Sequence, residues 1–186
     1  PVPVRGPETW RPFPHHQYVG MIEQAFSRHG FTNSEPIHYR AKSRDNKKIK
    51  DLPTHGRFLS LYGIAHPNLP EISGTSWEVG GANSYDMTKS IQLGLGQRVK
   101  VCSNGQMMGA SQTFKRKHTV GINRDREDHF EMIYSLIDVA VRGLFREAQT
   151  VADRVGAYQQ LGCDDSDARF VIIEAAKTNV IGAAQT

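Results

Sequence analysis

Three short stretches hold the residues best placed to do chemistry, and in each the chemistry is that of a cation. YRAKSRDNKKIK contains Arg40, Lys42, Arg44, Lys47, Lys48 and Lys50. RVK contains Arg98 and Lys100, and FKRKH sets Lys115, Arg116, Lys117 and His118 behind Phe114. Side chains two apart on a strand share a face, so Arg40, Lys42 and Arg44 would line one side of a strand, and Arg98 and Lys100 one side of another. If these strands are neighbours, the cations form a stripe able to follow a phosphate backbone, with Tyr39, Tyr85 or Phe114 available to stack on bases. The competing reading is a solvated sheet face whose lysines guard an edge. Charge distribution favours the first. Residues 1–122 hold 16 Lys and Arg against 8 Asp and Glu, whereas residues 123–186 hold 7 against 11. Such asymmetry suggests a polyanionic partner for the first two thirds of the chain.

Other candidates carry less pattern. In ANSYDMTKS, Asp86 stands three residues before Lys89. A metal-assisted nuclease could use such a pair together with His118 and His15 or His16. An Asn-Ser-x-Asp cluster is also what a hydrogen-bonded turn is made of, and the turn is the reading adopted. None of the eight histidines has a metal-ligand spacing, and no serine lies in a nucleophile-elbow motif. GLGQRV has Gly94 and Gly96 but neither a third glycine nor a P-loop lysine, so it reads as a bend before a strand. No catalytic residue, metal or cofactor is therefore expected. Cys102 and Cys163 read as small buried apolar groups rather than a disulfide framework.

These residues need a scaffold, and the pattern predicts one. Residues 1–14 hold five prolines and read as an arm, with a single domain over 15–186. HQYVGMIEQAFSRHG places Tyr18, Ile22, Ala25 and Phe26 at helical spacing, opened by Pro14 and closed by Gly30. Strands are expected over 35–44, 57–66, 76–86, 98–105 and 111–120, within a sheet core spanning 31–122. Short connections favour antiparallel pairing. The series Phe130, Ile133, Ile137, Val141, Leu144, Ala148, Val151, Val155 and Tyr158 predicts a long helix ending at Gly162. A second helix would start at Asp165 or Ser166, giving a helical region over 128–182. The fold class is α+β: an antiparallel sheet of four to five strands between an N-terminal helix and a long C-terminal helix, helices packed on one face. No apolar run reaches the roughly 18 residues of a membrane span, and the polar N-terminus does not read as a signal peptide. A soluble cytoplasmic protein without a membrane partner is expected.

NSYDMTKSIQLGLGQRVKVCSNGQMMG followed by KRKHT resembles the phage- and plasmid-borne "domain of unknown function 932" family, as does the opening PFPHHQYVGMIEQAFSRHGF. The resemblance covers roughly residues 12–122. Asn83, Ser84 and Asp86 match the family's Asn-Ser-His-Asp motif, Cys102 and Asn104 its Val-Cys-x-Asn turn, and Lys117, His118 and Thr119 its Lys-His-Thr motif. Tyr85 stands at the family's histidine, which weighs against an enzyme. The resemblance implies a mobile-element setting in the host cytoplasm. Helix, sheet and long helix are also similar in outline to phage single-strand annealing proteins. The expectation is a non-enzymatic, homo-oligomeric protein that binds and anneals single-stranded DNA in recombination or replication. In it Asn83, Ser84, Tyr85, Asp86, Cys102, Asn104 and Thr119 form a polar network beside the groove. The alternatives are a metal-dependent nuclease and a module that binds a host protein.

Overall fold

The computed structural model describes residue 7 and residues 9–99, 108–118, 126–160 and 162. The fold is α+β. Helix α1 (His15–Arg28) is followed by β1 (Thr32–Asn33), β2 (Ile37–Ala41), β3 (Arg57–Ala65), β4 (Thr75–Ser84), β5 (Ile91–Val99) and β6 (Met108–Arg116), then α2 (Arg126–Gln160). All strand pairs are antiparallel, in the order β1-β3-β4-β5-β6, and β2 shares the β3 edge with β1. The chain divides into two compact units at Gln149/Thr150, within α2, where the sequence reads as one domain over 15–186. In the second unit Tyr158 is exposed and Gly162 has a positive φ of 60°. The expected helix after residue 164, and Cys163, lie outside the described residues. Among the described residues, no helix is long and apolar enough to cross a membrane.

Alternation explains the sheet. Phe58, Ser60, Tyr62 and Ile64 of β3 pair with Asn83, Gly81, Val79 and Trp77 of β4, and the same face continues into Leu93, Leu95 and Gln97 of β5. All of these residues are buried. Helix α1 buries Tyr18, Ile22, Ala25 and Phe26, with Phe26 edge-on to Tyr62 at 5.5 Å. Helix α2 buries Ile133, Ile137, Val141, Leu144 and Ala148 and stacks Phe145 on Phe31 at 4.7 Å. Arg28 and His29 at the end of α1 reach Asp138 of α2 at 2.9 and 3.1 Å.

The end of α1 is a complete Schellman motif. The Gly30 N–H donates to Ser27 and the Phe31 N–H to Phe26, Gly30 has φ +74°, and the Phe31 and Phe26 rings meet. Gly94 and Gly96, expected in a bend, lie inside β5. They face Gly80 and Glu78, and Leu93 and Leu95 carry the buried alternation between them. The strand therefore begins at Ile91 rather than at Arg98. The expected strand 35–44 is likewise only Ile37–Ala41, because the backbone then leaves the sheet, the Ser43 N–H bonding to Thr54 and the Arg44 N–H to Asp86.

Gly81 marks where α1 sits down on the sheet. The Tyr18 hydroxyl donates to the Gln92 carbonyl, and a Cβ on Gly81 would lie 2.7 Å from that hydroxyl and 2.8 Å from Ser60 Oγ. Burial holds the Tyr18 hydroxyl protonated, its pKa raised by desolvation. Gly81→Ala is expected to cost about 1–3 kcal/mol, as overpacking of a tight core does. The same change in a Tyr18→Phe background should cost less. Urea unfolding of the four proteins checks this; equal costs in both backgrounds would deny the contact.

Candidate nucleic-acid interface

Register decides where the cations go. Ala41, Arg57 and Ser84 are aligned across β2, β3 and β4, and Ile91 opposes Arg116 across β5 and β6. The end of β2, the start of β3, the end of β4, the start of β5 and the end of β6 therefore share one end of the sheet. Residues 40–57 bring seven Lys and Arg and two Asp to that end, and Lys89 and Lys115 to Lys117 join them. Lys42, Arg44, Lys47, Lys48 and Lys50 are all exposed on the β2–β3 loop.

This differs from a stripe across the sheet. Of Arg40, Lys42 and Arg44, only Arg40 is in the strand, opposite Phe58, so the three do not line one strand face. Arg98 lies at the far end, opposite Ser76, with its guanidinium 3.8 Å from Glu78. Glu78 is 3% exposed, and burial raises its pKa against the pull of Arg98. Lys100 is outside the described residues. The KRKH run is split by its own alternation. Lys115 opposes Gln92 on the open face, Arg116 opposes buried Ile91, Lys117 is exposed and His118 is only 4% exposed.

The second sheet face is open beside this basic end. Tyr39 of β2 and Leu59 of β3 are neighbours, 46% and 41% exposed. They border a 400 Å³ groove whose lining also includes Ala41, Arg57, Ala82, Lys89 and Gln92. Small residues in β4 and β2 leave the floor low, and Arg57 and Lys89 bring charge to it. Phe114 and Tyr85, the other rings considered for stacking, are not presented. Phe114 packs opposite buried Leu93, and Tyr85 lies against His15 at 4.0 Å between centroids.

The Asn83–Asp86 segment holds this end together. Asn83 Nδ2 donates to the Phe13 carbonyl at 2.8 Å and faces His15 Nδ1 at 3.0 Å. A carbonyl can only accept, so the amide nitrogen is the donor in both contacts and neutral His15 carries its proton on Nε2. The His15 ring is sandwiched between Phe58 and Tyr85, and its backbone N–H donates to the Tyr85 hydroxyl at 2.8 Å. Ser84 Oγ accepts from the Lys89 N–H and donates to the Lys89 carbonyl. Asp86 accepts the Arg44 N–H on Oδ2 at 2.7 Å, and the Thr88 N–H and hydroxyl on Oδ1. Burial raises the Asp86 pKa, but these bonds outweigh it and the net shift is downward. Both oxygens are thus engaged in positioning loops, the arrangement of a turn. Among the described residues no group of His, Cys, Asp or Glu is arranged to hold a metal ion. Cys102, Asn104 and Thr119 lie outside the described residues.

Sequence reasoning missed Trp10, Arg57 and Leu59. Arg57 and Leu59 were legible as alternate residues of a strand otherwise read for its apolar members. Trp10 gave no signal, because it sits in a stretch without periodicity. Comparison with protein-family models, curated proteins and solved structures finds no match.

His118 and His129 are buried and His15 is half-buried, and desolvation is the largest cause holding each pKa at about 4, down from 6.5. Because the unfolded chain binds protons first, stability is full above about pH 6.5 and falls as pH drops toward 4. Urea midpoints measured across that window should decline steadily; a flat profile from pH 6.5 to 4.5 would contradict the burial. Asp86→Ala should cost about 2 kcal/mol by orphaning the Arg44 and Thr88 donors, read by thermal unfolding at pH 7.

Proposed function

We propose that this protein binds single-stranded nucleic acid across the basic end of its sheet, with bases on the Tyr39–Leu59 groove and phosphates on the flanking loops. The observation that carries the reading is the placement of an exposed tyrosine, an apolar floor and Arg57 and Lys89 in one 400 Å³ groove beside five exposed loop cations. Base–aromatic stacking combined with a cationic path is how proteins hold single strands with little sequence preference. A duplex hides its base faces and would gain little from Tyr39. The resemblance to the phage- and plasmid-borne family, and the outline shared with annealing proteins, support strand annealing in a phage or plasmid as the setting. The nuclease alternative is not adopted, since both Asp86 oxygens are occupied by loop donors.

The test is fluorescence-anisotropy binding to a single-stranded DNA, a single-stranded RNA and a duplex at about 50 and 200 mM salt. Wild type should prefer the single strands and lose affinity steeply with salt. Lys47→Ala/Lys48→Ala/Lys50→Ala should make the salt slope shallower by about 2, at about 0.7 per phosphate contact. Tyr39→Ala should weaken binding by about 5- to 150-fold, the value of one stacked base. Equal affinity for duplex and single strand, or indifference to Tyr39→Ala, would refute the groove as the base site.

A further inference from the structure

A second cavity of 170 Å³ lies at the same end of the sheet, lined by Trp10, Met87, Thr88, Lys89, Ser90, Lys117 and His118. None of its described lining residues is acidic. Two of its polar side chains are more than nine-tenths buried, Trp10 at 3% and His118 at 4% exposed, and among the described residues the Trp10 indole N–H has no hydrogen-bond partner. The Arg11 and Lys89 backbones act on the His118 ring as hydrogen-bond acceptors do, raising its pKa against burial, which leaves the Trp10 indole N–H as the donor without a partner. A buried N–H without an acceptor costs free energy, and proteins keep such donors where a ligand supplies the acceptor.

Among the described residues that line the cavity the charge has one sign. Lys89 and Lys117 are both exposed at its edge. Lys89 is held in place through its backbone by Ser84 Oγ, at 2.9 Å from its N–H. Arg116 acts on buried His129, and His129 in turn on His118, each lowering the neighbour's pKa beyond the effect of burial. The nearby carboxylate, Asp86, is already satisfied by three donors.

We infer that this cavity is a phosphate-monoester site, formed by the Trp10 indole N–H with the Lys89 and Lys117 ammonium groups. A phosphomonoester carries about −1.5 to −2 charge at neutral pH, and the two ammonium groups match it. A strand's internal diester carries one charge, which two ammonium groups at one site would overmatch. The inference rests on the single-strand reading for one of its two sources, the terminal phosphate of a nucleic-acid strand. The other source is a small phosphate ester or free phosphate.

The experiment compares 5′-phosphorylated and unphosphorylated single-stranded DNA of one sequence by anisotropy, and titrates inorganic phosphate by calorimetry. Wild type should bind the phosphorylated strand about tenfold more tightly, the worth of one charge-assisted hydrogen-bond set. That ratio should fall to about one in Lys89→Ala/Lys117→Ala and be reduced in Trp10→Phe, which removes only the N–H donor. Strand binding with a ratio of one in wild type and no heat from phosphate would overturn the inference while leaving the single-strand reading standing. Phosphate binding that the lysine variant abolishes, with neither strand bound, would support the site for a small phosphate and refute the single-strand reading. No binding of strand or phosphate would overturn both.

Discussion

The basic end of this protein depends on one carboxylate. Asp86 joins two loops that belong to different strand pairs, taking the Arg44 N–H from the β2–β3 loop and the Thr88 N–H and hydroxyl from the β4–β5 loop. The Asn46 side chain adds a bond to the Asp86 carbonyl. Exposed cations repel one another, and a loop carrying Lys42, Arg44, Lys47, Lys48 and Lys50 would swing apart without an anchor. A buried, fully bonded carboxylate supplies both a fixed geometry and a compensating negative charge. Its neighbours in sequence do related work: Ser84 fixes Lys89, Tyr85 stacks on His15, and Asn83 ties His15 and Phe13 to β4.

The fold sets up this end through a division of labour between the two sheet faces. One face is filled by α1 and by the aromatic and aliphatic side chains of β3, β4 and β5. The other carries small residues at Gly80, Ala82 and Gly94, so the chain leaves a low floor beside Tyr39 and Leu59. Desolvation keeps half-buried His15 and buried His118 and His129 neutral, which makes the protein sensitive to acid. Tight packing at Gly81, where Tyr18 closes on the sheet, keeps α1 and hence His15 in place.

Much of this was legible in the chain itself. The helix over 15–28 announced its apolar stripe and its glycine stop, and the strands over 57–66 and 76–86 were read close to the observed β3 and β4. The start of β5 was hidden, because Gly94 and Gly96 look like turn residues when only the glycines are weighed. IQLGLGQ does alternate, with Ile91, Leu93, Leu95 and Gln97 facing the core. The grouping of cations was not legible, for a physical reason. Period two tells which residues of one strand share a face, but antiparallel register decides which end of a neighbour they meet. Arg40 and Arg98 read as members of one stripe, yet register places them at opposite ends of the sheet and on opposite faces. The KRKH run likewise reads as one patch, whereas Lys115 faces outward and the His118 side chain is buried.

The most direct test of the account is amide hydrogen exchange of the protein with and without a single-stranded DNA. Protection confined to residues 39–49, 57–59 and 87–92, with none around Ser76 and Arg98, is the result expected if the basic end and its groove hold the strand. Protection centred on Ser76, Glu78 and Arg98 instead, or spread evenly over the sheet, would contradict it.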